Sequence, residues 1–126
     1  MAFKFFNPNP SSQRVGDCAV RAICKALGAE WEDVYVGLCS VGLIHNDMPS
    51  ANYIWGMYLR KYGFEQKTVP TVCPACISVK EFADDHPKGR YILACQNHVV
   101  TASDGDYYDT WDSGDEKVLY YYEKEI

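Results

Sequence analysis

Apolar residues recur at helical spacing through the first half of the chain. The segment that begins after Asp17 carries its apolar side chains on one face and is followed by Gly28. Aspartate is a favoured helix N-cap and glycine a favoured left-handed residue after a helix, so this segment is predicted to be helical. The same spacing predicts two further helices, over residues 30–39 and 50–62.

After Gly63 the pattern changes to short runs that are typical of strands. Ser78 and Glu81 form a capping-box pattern, which predicts one short helix that ends before Pro87. Asp104-Gly105 is a typical two-residue hairpin turn. The predicted strands cover residues 64–69, 90–95, 98–102, 107–112 and 117–123.

Helices first and strands afterwards indicate an α+β fold, in which N-terminal helices pack on a C-terminal antiparallel β-sheet. Residues 1–12 carry prolines and short polar side chains, so an extended lead-in is expected there. Residues 13–126 are expected to form a single domain, because a chain of 126 residues matches one domain of ordinary size.

Charge and hydropathy exclude several classes of function. The chain has 17 acidic and 12 basic residues, and its lysines and arginines are scattered, so nucleic acid is not expected as a partner. No apolar run reaches the length of a signal-peptide core or a membrane span, so we expect no membrane partner and a cytoplasmic location. In that reducing compartment the six cysteines are expected to remain free thiols.

Cys18 directly follows the predicted N-cap Asp17, at the positive end of the helix dipole. This position favours the thiolate, which is the reactive form of cysteine. Cys18 is therefore the candidate nucleophile, although a small buried cysteine with a packing role would leave the same signature. Arg21, on the next turn of the helix, is expected to pair with Asp17 or another acidic neighbour.

His98 is the candidate base, because the strand after the Asp104-Gly105 turn brings carboxylates towards it. A carboxylate there can hold the imidazole in the tautomer that takes a proton from a thiol. A two-residue hairpin loop puts Asp109 on the same side of the sheet as His98. A three-residue loop with a glycine bulge puts Asp112 there instead, and the strand pattern leaves both open.

Asp17-Cys18, His98-Val99-Val100, Asp104-Gly105 and Asp112 together resemble the motifs of papain-like cysteine peptidases. They are similar in particular to the peptidase domains with which bacterial ABC exporters cut double-glycine leaders from peptides. Those domains have Asp-Cys-Gly, a later histidine followed by apolar residues, and an Asp-Gly pair with a second aspartate eight residues on. The resemblance covers roughly residues 13–113. It implies a papain-like fold, a triad of Cys18, His98 and Asp112, peptide or protein substrates, and no cofactor.

Two positions depart from that pattern, Ser12 and Ala19, and Ala19 follows the nucleophile where the exporter domains carry glycine. The resemblance implies an oxyanion-stabilising glutamine six residues before the nucleophile, where this chain has Ser12, so the neighbouring Gln13 is the candidate for that role. Papain-like enzymes also carry Asn-Ser-Trp after their histidine. The segment Asp109-Thr110-Trp111 is similar to it, which keeps Asp109 as the alternative to Asp112.

Two other functions fit the sequence. A papain-like domain with an incomplete oxyanion hole would bind peptides without cleaving them. Cys73 and Cys76 have the spacing of a metal knuckle or a thiol-disulfide motif, so a small metal-binding interaction module is the second alternative. No second cysteine pair of this spacing accompanies them, which favours a simple loop turn whose two thiols pack under the sheet.

Overall fold

The computed structural model describes residues 2–124, and this range forms an α+β arrangement of four helices and six strands. In chain order the elements are β1 (Phe3–Phe5), α1 (Cys18–Leu27), α2 (Trp31–His45), α3 (Asn52–Lys61), β2 (Phe64–Thr68), α4 (Val79–Asp85), β3 (Arg90–Cys95), β4 (His98–Ser103), β5 (Asp106–Asp109) and β6 (Tyr120–Lys124).

Helices with strong local end signals have the predicted bounds. Helix α1 begins at Cys18 and ends before Gly28, which has a left-handed φ of 65°. At the start of α4, the Ser78 hydroxyl accepts a hydrogen bond from the Glu81 backbone N–H. The Glu81 carboxylate accepts one from the Ser78 backbone N–H, which completes the predicted capping box.

Helix α2 continues to His45, beyond its predicted end at residue 39. Gly37 lies within this helix at a close approach to α3, where a Cβ atom would stand 2.5 Å from Cε1 of Tyr58. Asn46 ends α2 in the left-handed conformation that terminates many helices. None of the helices within residues 2–124 combines the length and apolar character needed to cross a membrane.

The six strands form one mixed sheet in the order β1-β5-β4-β3-β6-β2. The predicted antiparallel pairing holds for β2 to β6, but β1 pairs parallel to β5, so the prediction of a wholly antiparallel sheet is wrong. Strand β1 lies within the predicted lead-in, residues 1–12. Phe3 packs on Tyr107 of β5 with ring centroids 5.9 Å apart, and this apolar contact favours joining the sheet.

Helices α1, α2 and α3 cover one face of the sheet, and α4 covers the other. Alternate residues of β3 and β4 point to opposite faces and supply both cores. The α1 face is tied further to the sheet by the Thr101 hydroxyl, which donates to the Ala22 carbonyl of α1. Arg90 of β3 donates to the carbonyl of Ala26 at 2.8 Å, so α1 is fixed at two points along its length.

The hairpin between β4 and β5 has the two-residue loop. Ser103 pairs with Asp106, and Asp104 and Gly105 have φ of 50° and 89°, as a type I′ turn requires. Strand β5 ends at Asp109, before its predicted end at residue 112, and β6 begins at Tyr120, after its predicted start at residue 117. The start of β4 and the end of β5 lie at the same end of the sheet, which brings His98 and Asp109 together.

Candidate active site

Cys18 is the first residue of α1 and is half-buried. It lines the same cleft as His98 and Val99, and its interactions with the His98 imidazole and the Val99 backbone lower the pKa of its thiol. Asp17 occupies the N-cap position as predicted, but its side chain makes no capping hydrogen bond and binds Arg21 and Trp31 instead. The backbone N–H groups of the first helical turn therefore lie beside the sulfur without a side-chain cap.

His98 is held from its opposite side by Asp109. Nε2 of His98 donates to Oδ2 of Asp109 at 2.6 Å, and Asp109 is fully buried. The ring of Trp111 packs against the imidazole with a centroid separation of 4.9 Å. Cys18, His98 and Asp109 thus lie in the order expected for a nucleophile, its base and an orienting acid.

Asp112 is not the carboxylate that binds His98, which corrects the triad implied by the resemblance. Its Oδ1 accepts hydrogen bonds from the Tyr107 hydroxyl at 2.6 Å and from the Gly114 N–H at 3.0 Å. The physical reason is the two-residue hairpin loop, which places Asp109 on the same side of the sheet as His98. Asp109 is the alternative that the strand pattern left open.

The variant Asp112→Asn is expected to leave catalysis nearly intact. Its amide oxygen can still accept from Tyr107, and His98 keeps its own partner. If the site hydrolyses peptides as proposed below, kcat/KM should stay within about threefold of the wild-type value. A loss as large as that caused by Cys18→Ala would show instead that Asp112 serves His98.

Arg21 is buried between two carboxylates. Its guanidinium donates to Oδ1 of Asp17 at 2.6 Å and to Oδ1 of Asp109 at 2.8 Å. The first contact is the predicted pairing; the second depends on the packing of α1 against the sheet, and no sequence signal indicates it. Asp109 also accepts from the Ser113 hydroxyl at 2.6 Å and from the Thr110 N–H at 2.8 Å. Both oxygens of Asp109 are thus fixed.

The electrostatics of the site favour a thiolate facing an imidazolium. Burial raises the pKa of Cys18, but the hydrogen bond and charge of His98 outweigh it, helped by the Val99 N–H and the Arg21 charge, so this pKa is lowered. Burial opposes protonation of His98, yet hydrogen bonds to Asp109 and Cys18 raise its pKa to about 9. Burial also opposes ionisation of Asp109, but hydrogen bonds from His98 and Ser113 lower its pKa.

The buried thiols Cys24 and Cys95 behave in the opposite way. Burial raises the pKa of each to about 12, and nearby acidic groups add to the effect. Cys95 lines the same cleft as Cys18, so a position in the cleft does not explain why the pKa of Cys18 is lowered and that of Cys95 is raised. The partners of Cys18, above all His98, favour its thiolate.

A cleft of about 640 Å³ opens beside Cys18 and His98. Its volume lies within the range of ordinary ligand sites, and its walls are mainly apolar and aromatic. The side chains that form these walls include Val15, Trp31, Tyr35, Leu38, Pro49 and Trp55.

Gln13 does not line this cleft, contrary to the oxyanion role predicted for it. Its side chain is exposed, and its backbone carbonyl accepts a hydrogen bond from the Asn7 amide at 3.1 Å. The Asn9 side chain accepts from the backbone N–H groups of Ser11 and Gln13. These asparagine contacts shape the loop before α1, so spacing from Cys18 along the sequence does not predict where the Gln13 side chain lies.

Comparison with known proteins finds no relative. No protein-family model, no curated protein and no solved structure matches this chain. The resemblance to papain-like peptidases therefore rests on the sequence motifs around Cys18 and His98.

Cys73 and Cys76 are joined by a disulfide, so the expectation that all six cysteines are free thiols is wrong for this pair. Cys73 is exposed and Cys76 is half-buried, so the two sulfurs do not pack under the sheet as predicted. The close spacing brings the two sulfurs within bonding distance on an exposed loop. Within residues 2–124 no group of three or more histidine, cysteine or acidic side chains is placed to hold a metal ion.

Proposed function

We propose that this protein is a cysteine hydrolase of papain-like type that cleaves peptide or amide bonds. One observation carries the proposal: Cys18 at the head of α1 shares a cleft with His98, which lowers the pKa of its thiol, and Nε2 of His98 binds the fully buried carboxylate of Asp109. A cysteine with only a packing role needs no such partners, because an apolar environment is sufficient for it.

In the proposed mechanism His98 takes the proton of Cys18, and the thiolate attacks the carbonyl carbon of the scissile bond. The carbonyl oxygen becomes an oxyanion as the carbon–sulfur bond forms. His98 then donates its proton to the departing amine, which leaves a thioester on Cys18. Water, deprotonated by His98, attacks the thioester and releases the acid and the thiolate. Asp109 keeps the imidazole oriented and stabilises its protonated form.

The N-terminus of α1 is the proposed oxyanion hole. Backbone N–H groups in the first turn of a helix have no acceptor within the helix, and the helix dipole favours negative charge there. The Asp17 carboxylate does not compete for these donors, because Arg21 and Trp31 occupy its oxygens. The Cys18 N–H and its neighbours in this turn take the role that the sequence assigned to Gln13.

Two features of the site support the papain-like type in particular. The nucleophile heads a helix that packs on a sheet, and the histidine opens a strand of that sheet. In addition, Asp109-Thr110-Trp111 provides both the carboxylate on Nε2 and the indole ring that packs on the imidazole. The Asn-Ser-Trp segment of papain-like enzymes is similar in residue type and order.

The cleft supports a peptide or protein substrate. Apart from His98, Cys18 and the Arg21-bound Asp17, the residues that line it carry no charge. An uncharged stretch of peptide with apolar side chains therefore fits better than a phosphorylated or sugar acid ligand, which would need cationic side chains.

A peptide library made from a digested proteome tests the proposal. Incubation with wild-type protein is expected to generate new peptide termini or deamidated side chains, detected by mass spectrometry, that are lost with Cys18→Ala. Cys39→Ala is the matched control, because Cys39 is a half-buried free thiol on α2 outside the cleft, and this variant should act like the wild type. Turnover that is absent in all three proteins, or that persists in Cys18→Ala, would refute the proposal.

The pH dependence of hydrolysis follows from the two linked pKa shifts. Because the pKa of Cys18 is lowered, Cys18 remains a thiolate at pH values where an ordinary thiol is already protonated. Activity should therefore persist at these pH values and fall only at lower pH. The raised pKa of His98 preserves the imidazolium up to about pH 9, above which the leaving amine receives no proton. A bell-shaped profile of kcat/KM with an alkaline limb near pH 9 is expected. A single rise that follows ordinary thiol ionisation would contradict the ion pair.

A peptide-binding domain without catalysis is the second candidate, and the position of Gln13 outside the cleft favours it. If the protein is such a binding domain, library peptides should bind to it without being changed, and Cys18→Ala should bind them with the wild-type affinity. Capture of library peptides on immobilised Cys18→Ala, followed by isothermal titration of the captured peptides into the wild-type protein, separates the two, because a hydrolase consumes its ligand and a binding domain does not.

A further inference from the structure

The disulfide between Cys73 and Cys76 lies outside the cleft, in the loop between β2 and α4. We propose that Cys73 and Cys76 are a thiol–disulfide exchange site, which cycles between dithiol and disulfide by reaction with soluble thiol and disulfide compounds. Cys73 is the sulfur that receives and attacks the external partner, and Cys76 is the sulfur that resolves the mixed disulfide. This site is independent of the hydrolase proposed above.

The exposure of the loop supports external access to one sulfur in particular. Val72, Cys73, Pro74 and Ala75 are all exposed, whereas Cys76 is half-buried. Exchange requires an external sulfur to approach in line with the disulfide bond, so the exposed member of a pair is the one attacked. This gradient in exposure assigns different roles to the two cysteines.

The fold around the loop is held without the disulfide. Thr68, before the loop, pairs with Tyr120 in the sheet. After the loop, the Ile77 carbonyl accepts from the Val118 N–H at 2.9 Å, and Ser78 and Glu81 form the capping box of α4. Both ends of the loop therefore stay anchored when the sulfur–sulfur bond opens, so reduction does not require unfolding.

The disulfide also closes a very short ring. Its two cysteines are separated by only three positions, and the loss of chain entropy that a disulfide imposes on the unfolded state is smaller for a shorter loop. This disulfide therefore contributes little to the stability of the fold, and it lies on an exposed loop. Both properties are typical of a labile disulfide and not of a structural one.

The exchange balances in two steps. The Cys73 thiolate attacks an external disulfide, so that a mixed disulfide forms and one external thiolate leaves. The Cys76 thiolate then attacks the Cys73 sulfur, which closes the internal disulfide and releases the second external thiolate. Two electrons pass from the protein dithiol to the external disulfide, and an external thiol or dithiol reverses both steps.

Oxidised glutathione tests the assignment of the two roles. Reduced Cys76→Ser is expected to accumulate a glutathione adduct on Cys73, at least about tenfold faster than reduced Cys73→Ser forms one on Cys76. Peptide-level mass spectrometry distinguishes these adducts from any on Cys18. Reduced wild-type protein should form the internal disulfide without accumulating an adduct at either position. Equal rates in the two variants, or no adduct on Cys73, would overturn the proposal.

A second measurement on the wild-type protein covers the case in which a variant does not fold. Native oxidised protein treated with dithiothreitol and then with an alkylating agent should be labelled at both Cys73 and Cys76, while buried Cys24 stays unlabelled and circular dichroism is unchanged. A disulfide that is reduced only when the protein unfolds would overturn the proposal, since it would then be a structural bond.

Discussion

Asp109→Asn is expected to lower kcat/KM by about 10²- to 10⁴-fold. General acid–base catalysis by a well-placed histidine increases a reaction rate by a factor in this range. The amide can accept the hydrogen bond of His98 Nε2, but it lacks the charge that stabilises the imidazolium. Because Asp109 helps to raise the pKa of His98 to about 9, the alkaline limb of the pH profile should also move to lower pH. Steady-state kinetics across the pH range measure both effects.

Asp112→Asn is the matched control for this variant, because it makes the same substitution close by in the same segment. Thermal unfolding of each variant, monitored by circular dichroism, establishes that the kinetics report folded protein. Equal activity of the two variants would refute the assignment of Asp109, and an unmoved alkaline limb would contradict its role in raising the pKa of His98.

Arg21→Met is expected to reduce the free energy of unfolding by about 3–5 kcal/mol, as happens when one partner of a buried ion pair is removed. The guanidinium lies between Asp17 and Asp109, and all three residues are less than a tenth exposed. Without it two buried carboxylates face each other with no cation between them. Urea unfolding of wild type and variant at neutral pH measures the loss.

Arg60→Met is the control for the arginine substitution. Arg60 also lies on a helix, but it is exposed, and its guanidinium donates to the Gln66 side chain at the surface. We expect this variant to lose no more than about 1 kcal/mol. Comparable losses in the two variants would contradict the account of Arg21 as the cation that neutralises two buried acids.

Elements with local signals could be predicted from the sequence. The start of α1 at Cys18, the capping box of α4 and the type I′ turn at Asp104-Gly105 each depend on residues within one turn of chain. Strand β1 could not be predicted in this way. It is three residues long and joins the sheet through pairing with β5, far along the chain.

The candidate site divides in the same way. The positions of Cys18 and His98 could be predicted because Asp17 marks a helix start just before Cys18, and a strand pattern followed by a hairpin turn begins at His98. The choice between Asp109 and Asp112 depends on one residue of hairpin loop length, which changes the face that every later side chain occupies. The resemblance favoured Asp112, and the observed pairing places Asp109 on His98.

The contacts of Arg21 and Gln13 lay outside the reach of sequence patterns. Arg21 meets Asp109 only because α1 packs on the sheet beside the end of β5. The direction of the Gln13 side chain depends on the hydrogen bonds of Asn7 and Asn9 in the preceding loop. Neither arrangement can be predicted from the spacing of residues along the sequence, because each depends on contacts that form only in the folded protein.

The rate at which iodoacetamide alkylates Cys18 as a function of pH is the most direct test of the central claim, the thiolate–imidazolium pair. At about pH 6 we expect Cys18 to react at least about tenfold faster than an ordinary small-molecule thiol such as N-acetylcysteine. His98→Gln should remove this advantage, because the hydrogen bond and charge of His98 lower the pKa of Cys18. If Cys18 instead reacts no faster than the ordinary thiol at this pH, and its rate rises along the ordinary thiol titration, the account is wrong.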